Sequence, residues 1–249
     1  MSKPKTQQKQ RAEWRGNETH DRLLNSLVER EGQPIREKID RSPIEGLTEN
    51  QRRYINAINT FTLTFATGPA GTGKTWIAAA MAAEALDKKQ TQKIIITRPA
   101  VEAGENLGFL PGDMNEKFDP YLAPFKEVLI ERFGKAKTEY LIKTGRIEAA
   151  PLAYMRGRTF KESFVILDEA QNTTPNQMKM FLTRIGHDCK VVVNGDIAQT
   201  DIRGVCGLED AVKRLAFIPS IKSIEFTRAD VVRSGLVQEI LESYDRKIE

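Results

Sequence analysis

The sequence predicts an α/β fold: a doubly wound, mostly parallel sheet with helices on both faces. Three observations predict it. Apolar runs of strand length recur along the chain, at residues 61–67 (FTLTFAT), 93–97 (KIIIT), 163–170 (SFVILDEA), 189–196 (CKVVVNGD) and 221–227 (IKSIEFT). Continuous apolar runs suit strands buried on both faces, the condition of a parallel sheet. Stretches of helical period lie between these strands, and that alternation means parallel crossovers. The third observation is the glycine-rich stretch GPAGTGKT at 68–75, set between a predicted strand and a predicted helix.

Taken in order, residues 1–46 read as an N-terminal arm. Lys3, Lys5, Lys9, Arg11 and Arg15 face one acid, Glu13, within the first fifteen residues. Such a polar, basic composition gives residues 1–20 little to bury, so flexibility is expected. Residues 21–31 have the pattern of a short amphipathic helix. Residues 32–46, with two prolines and two glycines, read as a linker. The main domain is expected over 47–249. It opens with a helix at 48–60, where Thr48 and Gln51 have the spacing of a capping box. The strand at 61–67, the glycine loop and a helix over 74–87 follow. Residues 174–186 form a helix with Met178, Phe181, Leu182 and Ile185 on its apolar face. The run at 221–227 alternates more than the others, which places it near a sheet edge. The stretch between the strands at 93–97 and 163–168 is too long for one crossover helix. It is expected to carry two helices and a small strand above the sheet's C-terminal edge, where ligands bind in such folds.

Composition sets bounds on function. The chain has 249 residues, 40% hydrophobic and 29% charged, enough for one full α/β core. The apolar run at 77–86 is too short to span a bilayer, and the opening MSKPKTQQKQ lacks a signal-type apolar core. A cytoplasmic protein with no membrane partner is expected. Cys189 and Cys206 stand apart from histidines, so no zinc site is indicated. A net charge of +4 permits a nucleic-acid partner without requiring one.

The chemistry begins in the loop. Gly68, Gly73, Lys74 and Thr75 fit G-x-x-x-x-G-K-S/T, and Pro69, Ala70, Gly71 and Thr72 fill the interval. Glycines let successive N–H groups turn toward one anion, and the next helix adds its positive end. Lys74 is expected at the β- and γ-phosphates and Thr75 at Mg2+. The run FVILDEAQ ends in two acids. Asp168 is read as a magnesium ligand through water, and Glu169 as the general base on an attacking water. That second acid favours hydrolysis over a small-molecule kinase, which must keep water from the γ-phosphate. Asn194, Gly195, Asp196 and Gln199 end the next strand, and Gln199 is read as a sensor of the γ-phosphate. Asn and Asp at such positions are also common turn formers.

These stretches, together with TRPAVEAGENLGFLPGDMNEKFDPYLAPF, YMRGRTF, VILDEAQNTTPNQMKMFLTRIG, GDIAQTD and DVVRSGLVQEI, resemble the PhoH-like family of P-loop ATPases. The resemblance runs from about Leu47 to Tyr244. It implies a RecA-like P-loop NTPase domain similar to the ATPase core of superfamily 1 helicases. ATP and Mg2+ as cofactors, ATP hydrolysis, and a role on RNA or other nucleic acid are implied with it. The chain looks like the form without a nuclease-type PIN domain. The resemblance also implies that Gln51 reads adenine, beside its capping-box role. Two departures stand out. Asp201 is followed by Ile202 and Arg203 where the family has leucine and proline, and Ser234 follows DVVR where the family has histidine.

Single-stranded nucleic acid, RNA ahead of DNA, is the expected partner. Arg98, Arg156 and Arg158, interleaved with Tyr154 and Phe160, are its candidate contacts over the sheet's C-terminal edge. The competing reading pairs these arginines with local acids and puts the aromatics in the core. One phosphate loop within the chain raises the question of who supplies a transition-state arginine. A neighbouring subunit is expected to, and the resemblance suggests a homo-hexamer. Arg233 is the best candidate, with Arg228 and Arg184 behind it. The competing reading has Arg233 cap the final helix or pair with Asp230. A nucleotide-gated binding module with little turnover and a P-loop kinase are the alternative functions.

Overall fold

The computed structural model describes residues 39–99 and 114–232. The basic arm, the predicted helix at 21–31, Arg233 and the final helix lie outside the described residues.

Six parallel strands form one sheet, in the order β3-β2-β4-β5-β1-β6. They are β1 (Leu63–Thr67), β2 (Lys93–Arg98), β3 (Ile147–Pro151), β4 (Ser163–Leu167), β5 (Lys190–Gly195) and β6 (Ile221–Glu225). Each predicted strand run holds one of them. β1 and β4 are buried at every residue, as continuous apolar runs in a two-faced sheet require. β6, the run with alternation, is an edge strand.

Helices cover both faces. On one lie α1 (Glu49–Thr60), α2 (Lys74–Asp87), α3 (Met114–Phe133) and α4 (Lys135–Lys143). Their core joins Tyr54, the alanines of α2, Phe125 and Leu129 to Ile94, Ile96, Ile166 and Val192 of the sheet. α2 is buried from Ile77 to Ala83, and its small side chains let it lie between sheet and α3. On the other face α5 (Pro175–Leu182) and α6 (Gly207–Leu215) pack Met178, Phe181, Leu208 and Ala211 against Phe65, Val165 and Val193. Burying an aliphatic side chain of this size contributes about 1.5–3 kcal/mol.

The long segment after β2 differs from expectation in one respect. Among its described residues it carries two α-helices and a strand, but the strand joins the main sheet instead of lying above it. β3 pairs with β2 from Ile94↔Ile147 to Arg98↔Pro151. β2 would otherwise leave a row of N–H and C=O groups at the sheet's edge, and β3 satisfies them. The order also places β5 between β1, which enters the glycine loop, and β4, which ends in the acids. The crevice at the C-terminal ends of β1, β5 and β4 is therefore where three chemically marked loops meet.

Candidate functional site

The glycine loop is braced from two sides. Gly68 has φ +129°, and a Cβ there would stand 2.2 Å from the carbonyl oxygen of Phe226. Gly73 has φ +82°, and its Cβ would meet the Gln51 amide nitrogen at 3.0 Å. Both positions need glycine for conformation and for space. α1 supplies one brace: Gln51 Nε2 donates to the Thr72 carbonyl at 3.0 Å. Its Oε1 accepts from the N–H groups of Leu47 and Thr48, at 2.7 and 3.3 Å. The capping box is present, and the same amide reaches the loop. Gln51 is 5% exposed with both ends of its amide engaged. The other brace is the segment after β6, where the Val232 N–H donates to the Gly71 carbonyl at 3.0 Å.

Lys74 is curled into this loop. Its Nζ donates to the carbonyls of Gly68 and Pro69, each at 2.7 Å, and to Thr72 Oγ1 at 3.1 Å. It lies 5.9 Å from the centroid of the Phe226 ring. Burial pushes the Lys74 pKa down, against the pull of Asp196, Asp168 and Glu169. Thr75 Oγ1 donates to Asp168 Oδ1 at 3.2 Å. Asp168 is 3% exposed, and burial pushes its carboxyl up even though Arg98 lies against it. Arg98 donates to Asp168 Oδ2 through Nη2 and, at 3.2 Å, through Nε. Its guanidinium sits over the Phe125 ring, 5.6 Å from the centroid.

Glu169 leaves β4 in the left-handed region, with φ +54°. A non-glycine residue there costs on the order of 1–3 kcal/mol and persists where its surroundings impose it. The surroundings are Gln171, whose Nε2 donates to Glu169 Oε2 at 2.7 Å while its Oε1 accepts from the Asp196 N–H at 3.1 Å. Gln171 is 2% exposed. One buried amide thus ties the acid to the loop after β5. Sequence reasoning did not single out Gln171, although it stands in the same FVILDEAQ run. Asp196 accepts from the Ala198 N–H at 3.1 Å and so caps the short turn Ile197–Gln199.

Lys74, Thr75, Asp168, Glu169, Asp196 and Gln199 all face one cavity of about 260 Å³, with Ala70, Gly71, Thr72, Gly73, Trp76 and Gly195. The loop's positive φ angles, its buried cation and the Thr75–Asp168 contact fit a polyphosphate with a divalent cation. Asn194 does not join them. It is fully buried, and its Oδ1 accepts from the Tyr54 hydroxyl at 2.7 Å. Burial pushes the Tyr54 pKa well up.

The proposed nucleic-acid residues scatter, and β3 is the reason. A strand parallel to β4 must return its chain to the sheet's N-terminal edge before β4 begins, so residues 154–160 cannot stay above the C-terminal edge. Tyr154 is 51% exposed and Arg156 is exposed, near the end of β3. Arg158 turns back to Glu148 of β3, with Nη2 at 3.0 Å from Oε2. Glu148 is half-buried, which would raise its pKa, but Arg158 and Lys93 hold it below the ordinary carboxylate range. Phe160 is 1% exposed and packs on Phe181, 5.6 Å between centroids. The reading of Phe160 as a stacking surface is corrected: it is core. Arg158 is committed to Glu148, and Arg98 stands at Asp168. Arg184 lies at the opposite edge from the cavity, where its carbonyl accepts from the Phe160 N–H at 2.8 Å.

A glycine loop holding its lysine, a hydroxyl on the aspartate that ends β4, and a glutamate beside it, at one end of a parallel α/β sheet, define the P-loop NTPase fold. The sequence model of the PhoH-like protein family matches residues 43–245, and the chain belongs to that family. It is 52% identical to Protein PhoH of Escherichia coli K12 over 213 residues, covering 84% of this chain and 60% of that protein. It is 54% identical to a PhoH-like protein of Bacillus subtilis over 202 residues, 80% of this chain and 63% of that one. A PhoH-like protein of Mycobacterium tuberculosis H37Rv is 50% identical over 234 residues, 93% of this chain and 64% of that one. The chain thus spans somewhat under two thirds of these relatives' length. Among solved structures, Pif1 helicase from Candida albicans superposes with a TM-score of 0.42 at 18% identity, covering 80% of this chain and 43% of that one.

Proposed function

We propose that this protein binds ATP with Mg2+ in the cavity and hydrolyses it, and that single-stranded nucleic acid, RNA ahead of DNA, governs turnover. The observation that carries the reading is Glu169 on the cavity wall beside Lys74, Thr75 and Asp168. An acid there can take the proton of a water attacking the γ-phosphate. Lys74 would leave the loop carbonyls for the phosphates, which also relieves its buried charge. Thr75 and Asp168 would hold the magnesium, whose charge offsets that of the phosphates. Glu169 would take the proton of the attacking water, and Gln199 would report on the γ-phosphate. Tyr154 and Arg156, exposed just after β3, support a nucleic-acid contact on the surface where the chain returns towards β4.

The test is phosphate release with and without single-stranded RNA or DNA. Turnover that rises with nucleic acid and disappears in Lys74→Ala supports the proposal. Nucleotide-dependent binding of nucleic acid without turnover would identify a gated binding module instead.

A further inference from the structure

Trp76 is the third residue of α2, immediately after Lys74 and Thr75. The helix positions that follow it, Ile77 to Ala83, are buried, while Trp76 is 37% exposed and lines the nucleotide cavity. Its indole Nε1 donates to Glu131 Oε2 of α3 at 3.3 Å, which anchors the ring at one edge. A large aromatic held at the mouth of a polar cavity has apolar surface to cover. At the position implied for reading the base, the Gln51 amide oxygen is filled by the Leu47 and Thr48 N–H groups while its nitrogen binds Thr72, so no acceptor is left to pair with adenine's amino group.

We propose that Trp76 is the base platform of this site, stacking on the heterocycle of the bound nucleoside triphosphate. The inference rests on the nucleotide reading above and adds what it lacks, the means by which the base is held. A π-face accepts any base in proportion to its stacking surface, so recognition by Trp76 is tolerant. Recognition by a glutamine amide would instead demand adenine's paired donor and acceptor. ADP and GDP are therefore expected to bind within about tenfold of each other, and CDP more weakly, because its single ring offers less surface.

The experiment uses the full chain with Trp14→Phe, so that Trp76 is the only fluorophore of its kind. ADP should quench Trp76 emission with a midpoint matching the calorimetric Kd. Trp76→Ala should weaken ADP about tenfold, about 1.4 kcal/mol, and Trp76→Phe by less than about threefold, since a ring remains. Tripolyphosphate, which has no base, should bind all variants alike. Trp76→Leu keeps apolar bulk without a ring and should behave like Trp76→Ala, which guards against a folding defect. ADP binding that depends on Lys74 but is unaffected in Trp76→Ala and Trp76→Leu would overturn the platform and leave the nucleotide site standing. Strong selection of ADP over GDP would also overturn it and return the role to Gln51. Failure of the parent protein to bind either ADP or tripolyphosphate would remove both readings.

Discussion

Gln171 shows how much of this site depends on single side chains. Its amide has one correct orientation, because the Asp196 N–H needs the oxygen and Glu169 takes the nitrogen. Glu169→Gln should leave nucleotide affinity within about twofold and slow phosphate release by about 10² or more, the usual scale for a lost general base. Wild-type turnover in that variant would remove Glu169 from the role. Gln171→Ala should act through Glu169: kcat falls about tenfold or more, since small misplacements of a catalytic group are costly, while nucleotide Kd stays put. The loop, the acid pair and Gln199 were legible in the sequence because their chemistry is tied to spacing within one short run. Gln171 was not, because a buried bridging amide has no composition of its own. Phe160 and Arg158 were misread because an aromatic–arginine cluster looks the same whether it faces solvent or, as here, Phe181 and Glu148.

At the scale of elements, the glycine loop keeps its shape through α1 and the turn Arg228–Asp230. The two are joined where Asn50 Nδ2 donates to Asp230 Oδ2 at 2.8 Å, and the Thr227 N–H donates to the same oxygen at 2.9 Å. Burial would raise the Asp230 pKa, but these donors hold it down to about 2, from an ordinary 3.8. A carboxyl whose folded pKa is depressed stabilises the fold fully above its unfolded value, and that stabilisation is lost as pH falls through the folded one. Thermal stability should therefore decline between about pH 4 and pH 2, and Asp230→Asn should show less of that decline while melting lower at pH 7. A midpoint difference that stays constant over that window would show that Asp230 does not titrate as described. Deeper in, Tyr54→Phe should cost about 1–3 kcal/mol in chemical denaturation, because it leaves the buried Asn194 oxygen without a donor. Element identity was largely legible: the capping box at Thr48, the limits of α2 and the five strand runs follow from local pattern. The membership of β3 was not, because pairing with β2 is a long-range choice that Ile147 and Ala150 make only once β2 offers an edge.

The whole molecule raises the question of charge in the transition state. Among the described residues no arginine lines the cavity, and Arg98, which stands nearby, is engaged with Asp168. An arginine that meets the γ-phosphate speeds such hydrolysis by about 10³–10⁵-fold. We propose a neighbouring subunit as its source. A head-to-tail contact that closes on itself makes a ring, and a ring gives every site the same neighbour. Arg233 is the proposed donor, ahead of Arg228 and of Arg184, which its place at the far edge of the sheet could bring only to another subunit's site. The described chain runs to Val232, whose N–H meets Gly71 of its own loop. Whether Arg233 serves its own site or a neighbour's is decided by mixing. Lys74→Ala subunits, which keep Arg233, are combined with Arg233→Ala subunits, which keep the loop. Each should be inactive alone, and an arginine acting across the interface should let the mixture recover part of the lost rate. In an equal mixture of a randomly assembled ring, about one interface in four pairs an intact loop with an intact arginine, so recovery to about a quarter of the wild-type rate is expected. Two inactive parents that give an inactive mixture would place Arg233 at its own site, and a protein that sediments as a monomer while turning over at full rate would dispose of the ring.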